Sequence, residues 1–143
     1  MGTASSGRYS ENEVKGLISQ LIDAVNICVL CGIGHRDIKL QNITFPIEKK
    51  ISTTTDGDRI NNVLIKLADF GMASFAQRDG RLRGRCGTPG YVAPEILRAG
   101  VHETYDINVD IFSIGVVAYT LLCGYEPFYG TDDQSLIKYV LHS

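Results

Sequence analysis

The first regular pattern in the chain is a run of apolar residues at helical spacing. Ser10 and Glu13 stand just before this run, in the arrangement of a helix capping box. The apolar positions that would share one helical face are Val14, Leu17, Ile18, Leu21, Ile22 and Val25. The pattern predicts a helix from about Glu11 to Leu30 that ends near Gly32.

Two short runs of β-branched and apolar residues follow and predict a small hairpin. They span Ile43–Ile47 and Val63–Leu67. The connection Glu48–Asn62 is polar and contains the turn sequence Asp56-Gly57, but it is longer than a tight hairpin loop. We interpret Glu48–Asn62 as a flexible surface insertion, with a docking loop for a partner as the alternative.

The remainder of the chain combines a long loop with two helical patterns. Asp69–Glu95 is punctuated by glycine and proline, which predicts an irregular loop. A hydrophobic helix is predicted from about Asn108 to Leu122, and an amphipathic helix from about Asp132 to Leu141. The order helix, hairpin, long loop, helix, helix indicates an α+β chain that is mostly helical.

The composition argues against several classes of protein. The chain has 143 residues, of which 44% are hydrophobic and 21% are charged, and its formal net charge is -2. These values fit one globular domain and argue against disorder and against nucleic-acid binding. The longest apolar stretch, Ile111–Cys123, is too short to span a bilayer, so we expect a core helix and no membrane span. Because no secretory pattern is present, we expect a cytoplasmic or nuclear location.

The cysteines allow a metal or redox interpretation that the spacing does not favour. Cys28 and Cys31 have the spacing of a zinc or redox pair, and His35 follows them. A zinc site would need a fourth ligand at matching spacing, and a thioredoxin-like pair would stand at the start of a helix. We therefore expect reduced helix cysteines, with a metal- or redox-binding domain as a weaker alternative.

Three motifs stand in a fixed order along the chain. HRDIKLQN spans residues 35–42, DFG spans 69–71 and GTPGYVAPE spans 87–95. Each is weak evidence alone, but in this order they resemble the catalytic loop, metal-binding loop and substrate-docking segment of a Ser/Thr protein kinase. The last motif and GYEPF at 124–128 are most similar to the calcium/calmodulin-dependent group of these kinases.

The resemblance implies a protein kinase-like fold. This chain would form the mostly helical C-terminal lobe, with a small β-hairpin and a long activation loop. We expect a disordered N-terminus over residues 1–8 and a partial kinase domain over 9–143. No glycine-rich phosphate loop precedes the catalytic loop, so we expect the family's N-terminal lobe, and also its final helices, to be absent from the chain.

The resemblance also assigns roles to individual residues. Asp37 would be the catalytic base for the substrate hydroxyl, and Lys39 would bind the γ-phosphate of ATP. Asn42 and Asp69 offer the oxygen ligands that Mg²⁺ prefers, and both would help to bind the nucleotide through the metal. Thr88 would hydrogen-bond Asp37 and Lys39, joining the docking segment to the catalytic loop.

Three further positions support the resemblance, whereas Leu40, Gln41 and Thr44 depart from it. His35 and Phe70 match two members of the family's internal hydrophobic column, and Asp110 matches the aspartate that braces the catalytic-loop backbone. Thr44 lies where the family usually places an apolar residue beneath the adenine ring. We expect this nucleotide-contacting threonine to weaken ATP binding, because a hydroxyl there costs apolar contact.

The activation loop lacks the residues that are usually phosphorylated. In kinases with an arginine before the catalytic aspartate, as Arg36 is here, a phosphate on this loop commonly pairs with that arginine. Phe75–Gly87 contains no Ser, Thr or Tyr, and Gly84 stands at about the acceptor position. We therefore expect no phosphorylation control within this segment. The loop is basic because of Arg78, Arg81, Arg83 and Arg85. It is either a solvated basic loop or a site for an acidic partner or segment.

The implied function is transfer of the ATP γ-phosphate to Ser or Thr hydroxyls of a protein substrate. The chain would be a truncated portion of such an enzyme, and we expect it to be inactive by itself. The alternative is a non-catalytic kinase-lobe module that binds partners, as a pseudokinase or a regulatory fragment does.

Overall fold

Helices form the frame of the structure. The computed structural model describes residues 9–44, 51–53, 59–61, 64–100 and 102–142. Its helices are α1 (Glu11–Leu30), α2 (Pro94–Arg98), α3 (Asp110–Cys123) and α4 (Asp133–His142). Helices α1, α3 and α4 confirm the three predicted helices to within about two residues at each end, whereas α2 has no predicted counterpart.

Helix α1 begins at the capping box that the sequence predicts. The Glu13 amide donates to Ser10 Oγ at 3.3 Å, and the Ser10 amide donates to the Glu13 carboxylate at 2.8 Å. The buried face of α1 packs into one core cluster with α3 and the segment that follows α1; its members include Val14, Leu17, Leu21, Val25, Ile38, Ile114 and Val117. This packing fixes the start of the 35–42 segment relative to α3.

Helix α3 runs through the core and starts slightly later than predicted. The predicted first residues form a 3₁₀ turn, Ile107–Val109, because the Asp106 side chain accepts the Asn108 amide at 2.8 Å and begins that turn. The helix ends at Gly124, whose φ of +81° is a left-handed conformation that glycine adopts without steric cost. Among the described helices, α3 included, none is long and apolar enough to cross a membrane.

Short strands form four antiparallel pairs within the described residues. Strand β1 (Ile33–Gly34) pairs with β6 (Ser74–Phe75), and β2 (Ile43–Thr44) pairs with β5 (Lys66–Leu67). Strand β3 (Ile51–Thr53) pairs with β4 (Arg59–Asn61), and β7 (Arg81–Arg83) pairs with β8 (Thr104–Asp106). The chain is therefore α+β and mostly helical, as predicted.

The predicted hairpin is confirmed at its base. Ile43 pairs with Leu67 and Thr44 pairs with Lys66, whereas residues 45–47 and 63 lie outside the described residues. Inside the segment that we interpreted as an insertion, β3 and β4 form a separate antiparallel pair. The turn sequence at 56–57 and the N-terminus 1–8 also lie outside the described residues, so the flexibility of both segments and the domain division stay predictions.

The segment 69–95 is less irregular than its glycines and prolines suggest. Strands β6 and β7 lie within it, and α2 begins at Pro94. Each strand is only two or three residues long and pairs with a partner far away in sequence, so no local alternation reveals it. The start of α2 fits the preference of proline for the first helical position.

A second core cluster joins this segment to α2 and α4. Its buried residues include Leu82 of β7, Tyr105 of β8 and Val140 of α4. Phe112 and Phe128 pack against both clusters, and their rings stack with centroids 5.7 Å apart. The two clusters together position the segment 69–95 against the segment 35–42.

Candidate active site

The segment 35–42 is anchored by a buried carboxylate at the start of α3. Asp110 is 1% exposed, and its two oxygens accept the amides of His35 at 2.7 Å and Arg36 at 2.8 Å. Burial raises the pKa of the Asp110 carboxyl above its ordinary value, although the two amide hydrogen bonds favour its charged form. The predicted bracing contact of Asp110 with the catalytic-loop backbone is present.

Two residues of the site adopt left-handed backbone conformations. Arg36 has a φ of +67° and Asp69 a φ of +60°, values that are uncommon for residues with a Cβ atom. The amide of Arg36 is held by Asp110, and the Asp69 side chain accepts the Gly71 amide at 3.1 Å. A long-range hydrogen bond at Arg36 and a local one at Asp69 hold these residues in conformations that a free chain rarely adopts.

Asp37, Lys39 and Thr88 form one hydrogen-bonded group. Thr88 Oγ1 donates to Asp37 Oδ1 at 2.6 Å and accepts from Lys39 Nζ at 2.8 Å. Lys39 Nζ also lies 3.1 Å from Asp37 Oδ2. Gly87 allows this approach, because its φ is +106° and a Cβ atom there would lie 2.7 Å from the carbonyl oxygen of Arg36. The segment 87–95 is thereby joined to the segment 35–42.

Asn42 is a buried residue that supports the same carboxylate. Its Nδ2 donates to the Asp37 carbonyl oxygen at 2.8 Å and to Asp37 Oδ2 at 3.1 Å. A side-chain amide has two donor hydrogens on nitrogen and an acceptor oxygen. Because the nitrogen of Asn42 is engaged by Asp37, the oxygen is the atom that it can offer to a ligand.

The contacts of Asp37 decide its charge. Burial raises the pKa of the Asp37 carboxyl. Hydrogen bonds from Thr88, Lys39 and Asn42, together with the ammonium charge, lower this pKa by more, so that it lies below its ordinary value. Asp37 is therefore a carboxylate at neutral pH, able to accept a hydrogen bond from a substrate.

The DFG turn at 69–71 lies directly against the segment 35–42. The Ala68 amide donates to the Asn42 carbonyl oxygen at 2.8 Å, and His35 Nε2 lies 3.1 Å from the Ala68 carbonyl oxygen. The rings of His35 and Phe70 meet edge to face with centroids 4.7 Å apart. The predicted pairing of these two rings is present, and the aspartate of the turn lies one residue beyond a backbone bond to Asn42.

The donor set of Asn42 and Asp69 fits a Mg²⁺ ion. The Asp69 carboxylate is exposed, and the Gly71 amide engages its Oδ1 atom. The part of the chain that the structure describes contains no cluster of three or more His, Cys, Asp or Glu side chains that could hold a metal. Mg²⁺ does not need such a cluster, because it is usually bound through one or two carboxylates, waters and substrate phosphates.

Thr44 lies at the exposed end of the hairpin base. Its Oγ1 donates to the Lys66 carbonyl oxygen at 3.3 Å, so the hydroxyl has a partner in the neighbouring strand. Thr44 makes no hydrogen bond that connects it to the group around Asp37 among the residues described. Its predicted contact with the adenine ring stays a prediction.

The basic residues of the activation loop are engaged to different extents. Arg81 Nε donates to Thr104 Oγ1 at 2.6 Å, and Arg81 Nη2 donates to the Thr104 carbonyl oxygen at 2.7 Å. The residues Arg78, Arg83 and Arg85 are exposed. No contact here supports an acidic partner, which stays a prediction.

The pair Cys28 and Cys31 lacks the electrostatics of a reactive site. Cys28 is half-buried, Cys31 is exposed, and both thiols are free. Burial raises the pKa of the Cys28 thiol, and Asp110 and Cys31 add to this rise. Redox-active and metal-binding cysteines need the opposite shift, because the thiolate is the reactive form.

Sequence reasoning missed two residues that connect the site to its surroundings. The Tyr105 hydroxyl donates to the Gly84 carbonyl oxygen at 2.6 Å and accepts from Arg36 Nη1 at 3.1 Å. Ser113 Oγ donates to the Tyr91 carbonyl oxygen at 2.7 Å. The available signal for Ser113 is that it interrupts an otherwise apolar helix, since a polar residue in a buried helix needs a partner.

Comparison of the sequence with models of known protein families identifies the family to which this chain belongs. Residues 3–143 match the family model of the protein kinase domain. The chain belongs to the protein kinase domain family. In this kinase chain, the motif at 35–42 contacts the motif at 69–71 through His35 and Phe70 and the motif at 87–95 through Asp37 and Thr88.

Similar proteins in plants and in a nematode are named as kinases. CDPK-related kinase 3 of Arabidopsis thaliana is 37% identical over 140 residues, covering 98% of this chain and 21% of the relative. Calcium/calmodulin-dependent serine/threonine-protein kinase 1 of Oryza sativa subsp. japonica is 35% identical over 138 residues, covering 96% of this chain and 20% of the relative. Calcium/calmodulin-dependent protein kinase type 1 of Caenorhabditis briggsae is 37% identical over 137 residues, covering 96% and 34%. The chain thus spans about a fifth to a third of these curated relatives.

Replacing Thr88 by valine should raise the pKa of Asp37. The substitution removes the 2.6 Å hydrogen bond that favours the carboxylate, while burial continues to favour the acid. A lowered pKa in the folded state adds stability above the unfolded-state pKa of about 4, and this stability is lost as the pH falls through the folded-state value. The Thr88→Val variant should therefore be less stable than wild type at pH 7, and the difference should shrink below about pH 4.

Carboxyl ¹³C NMR of Asp37 measures this pKa directly, and urea unfolding at several pH values measures the stability difference. Thr131→Val is the matched control, because Thr131 is exposed and bonds to Ser135 instead. An Asp37 pKa that is the same in wild type and Thr88→Val would show that Thr88 does not control this carboxylate.

Proposed function

We propose that the full-length protein carrying this chain is a protein kinase that transfers the ATP γ-phosphate to Ser or Thr hydroxyls. The observation that carries the proposal is the group formed by Asp37, Lys39 and Thr88. A carboxylate kept ionised beside an ammonium, on a loop fixed by a buried anchor, is the arrangement that phosphoryl transfer needs.

Asp37 acts on the substrate hydroxyl in this proposal. Its lowered pKa keeps it in the form that accepts a hydrogen bond, so it orients the hydroxyl oxygen toward the phosphate. Because Thr88 and Asn42 bond to the same carboxylate, its position is set from two sides. Positioning of the attacking group is a large part of catalysis in phosphoryl transfer.

Lys39 supplies positive charge beside Asp37. Its ammonium lies 3.1 Å from Asp37 Oδ2 and would interact with the γ-phosphate of ATP when the nucleotide is bound. Asn42 and Asp69 would hold Mg²⁺, which neutralises phosphate charge when bound. ATP and Mg²⁺ are therefore the proposed co-substrate and cofactor, and a protein is the proposed phosphate acceptor.

The proposed preference for Ser and Thr over Tyr depends on Lys39 and on the Gly-Thr-Pro sequence at 87–89. The name of the similar protein from Oryza sativa includes serine/threonine-protein kinase, which supports the same preference. Regulation by calcium or calmodulin is named for some relatives and is proposed here only as a class of regulation to examine. We also propose a cytoplasmic or nuclear location, which the free cysteines support.

A non-catalytic interaction module is the second candidate function. Large apolar side chains are exposed on the described helices, among them Ile111 on α3 at 51% and Tyr139 on α4 at 47%. Exposed apolar surface of this kind often binds another protein segment. This candidate predicts binding without phosphate transfer, so an activity assay separates it from the kinase proposal.

Replacing Asp37 by asparagine should abolish most of the phosphate transfer by the full-length protein. We expect kcat to fall by about a hundredfold or more, because the amide cannot accept the substrate proton or balance the Lys39 charge. Transfer of ³²P from ATP to a set of Ser-, Thr- and Tyr-containing peptides, followed by phosphoamino-acid analysis, measures both rate and acceptor.

The matched control for this experiment is Asp133→Asn. Asp133 is an exposed carboxylate in the first turn of α4, and its loss should leave kcat within about twofold of wild type. Wild-type protein without Mg²⁺-dependent transfer, or transfer to tyrosine alone, would contradict the proposed function.

Replacing Thr44 by leucine should lower the KM for ATP of the full-length protein. Each additional buried CH₂ group contributes about 0.8 kcal/mol, which corresponds to roughly a fourfold lower KM. Steady-state kinetics at saturating peptide measures this value, with Thr131→Leu as the control on an exposed position. A KM that stays the same or rises would show that Thr44 does not contact the nucleotide.

A further inference from the structure

The side chain of Arg36 makes three hydrogen bonds in and beside the activation segment, although residues 75–87 contain no Ser, Thr or Tyr. Arg36 Nε donates to the Met72 carbonyl oxygen at 2.8 Å. Arg36 Nη1 donates to the Arg83 carbonyl oxygen at 2.9 Å and to the Tyr105 hydroxyl at 3.1 Å. One guanidinium thus binds both ends of the segment 72–83, and it does so through backbone atoms.

Tyr105 completes this arrangement from the opposite strand. Its side chain is buried at 2% exposure, and its hydroxyl donates to the Gly84 carbonyl oxygen at 2.6 Å. Burial raises the pKa of the Tyr105 hydroxyl by more than the hydrogen bond from Arg36 lowers it. Because the resulting pKa lies above its ordinary value, the hydroxyl is a protonated donor at neutral pH. The carbonyl oxygens of two successive residues of the loop, Arg83 and Gly84, are therefore both satisfied.

Strand pairing reinforces the same contact. Leu82 of β7 is the pairing partner of Tyr105 of β8, and the Arg81 guanidinium bonds twice to Thr104. Leu82 is 1% exposed and belongs to the second core cluster. The loop is therefore held by a buried side chain, a strand pair and the Arg36 and Tyr105 side chains together.

Gly84 offers this site no side chain that could be modified. Its φ is +92°, a conformation that favours glycine, and a Cβ atom there would stand 4.0 Å from Arg36 Nη1. A phosphate that bound two nitrogens of Arg36 would have to displace the bond from Nε to Met72 or a bond that Nη1 makes to Arg83 or Tyr105. The planar fork of arginine suits such multiple bonding, and a lysine ammonium does not.

We infer that Arg36 and Tyr105 are positioning residues that hold residues 72–84 of the activation segment in place without a phosphate group. The inference rests on the proposed kinase function and deepens it, because the held segment leads to Thr88 and so to Asp37. Two backbone carbonyl oxygens and one tyrosine hydroxyl accept the hydrogen bonds from Arg36 that a phosphate group would otherwise accept.

The test compares Tyr105→Phe and Arg36→Lys with wild type in the full-length protein after phosphatase treatment. Tyr105→Phe keeps the buried ring and removes only the hydroxyl, and Arg36→Lys keeps the charge and removes the fork. Limited trypsin digestion measures the loop directly, because it can cleave after Arg81, Arg83 and Arg85. Cleavage after Lys138 in α4, followed in the same digest, reports unfolding of the rest of the domain.

We expect cleavage after Arg83 and Arg85 to become at least about fivefold faster in both variants, while cleavage after Lys138 stays unchanged. We also expect kcat/KM for the peptide substrate to fall about tenfold and the KM for ATP to stay within about twofold. Tyr119→Phe is the matched control, because the Tyr119 hydroxyl bonds to Tyr125 at the exposed surface.

Equal loop cleavage in wild type and both variants would overturn the inference, as would faster loop cleavage with unchanged kcat/KM. Loop and Lys138 cleavage that accelerate together in both variants would assign these residues a purely structural role and also overturn it. If wild type transfers no phosphate, the proposed function fails, and the digestion alone then decides whether Arg36 and Tyr105 hold the loop.

Discussion

The whole site depends on one buried carboxylate that accepts two backbone amides. Asp110, at the start of α3, holds the amides of His35 and Arg36, and α3 is itself fixed by packing against α1. Because each of these bonds joins a core helix to a loop, the loop backbone is held in a fixed position relative to the core. Burial makes the charged form of Asp110 unfavourable in free energy. A buried charge of this kind is typically kept in a fold where its hydrogen bonds position a functional segment.

The segment 35–42 in turn positions the motifs at 69–71 and 87–95. His35 and Asn42 contact Ala68, which places the DFG turn, and Asp37 binds Thr88, which places the segment 87–95. The same bonds that position Asp37 also keep it ionised, so geometry and protonation have one cause. For this kinase chain, the activation segment is a further member of the same network through Arg36 and Tyr105.

The sequence predicts the parts of this arrangement that depend on local pattern. The helix Glu11–Leu30 follows from its capping box and apolar spacing, and the motif residues Asp37, Lys39 and Thr88 follow from the family resemblance. The pairing of β7 with β8 could not be predicted, because both strands are short and the two lie far apart in sequence. The contact of Tyr105 with Gly84 depends on that pairing, so it could be found only in three dimensions.

Amide hydrogen exchange at His35 and Arg36 tests the central claim most directly. In wild type, both amides should exchange as slowly as the core amides of α3, because a buried carboxylate holds them. Asp110→Asn leaves one acceptor oxygen and adds a donor, so at least one amide should exchange about tenfold or more faster. Asp106→Asn, at an exposed carboxylate that binds Asn108, is the control and should leave both amides protected. Unchanged protection in Asp110→Asn would contradict the claim that Asp110 anchors the segment 35–42.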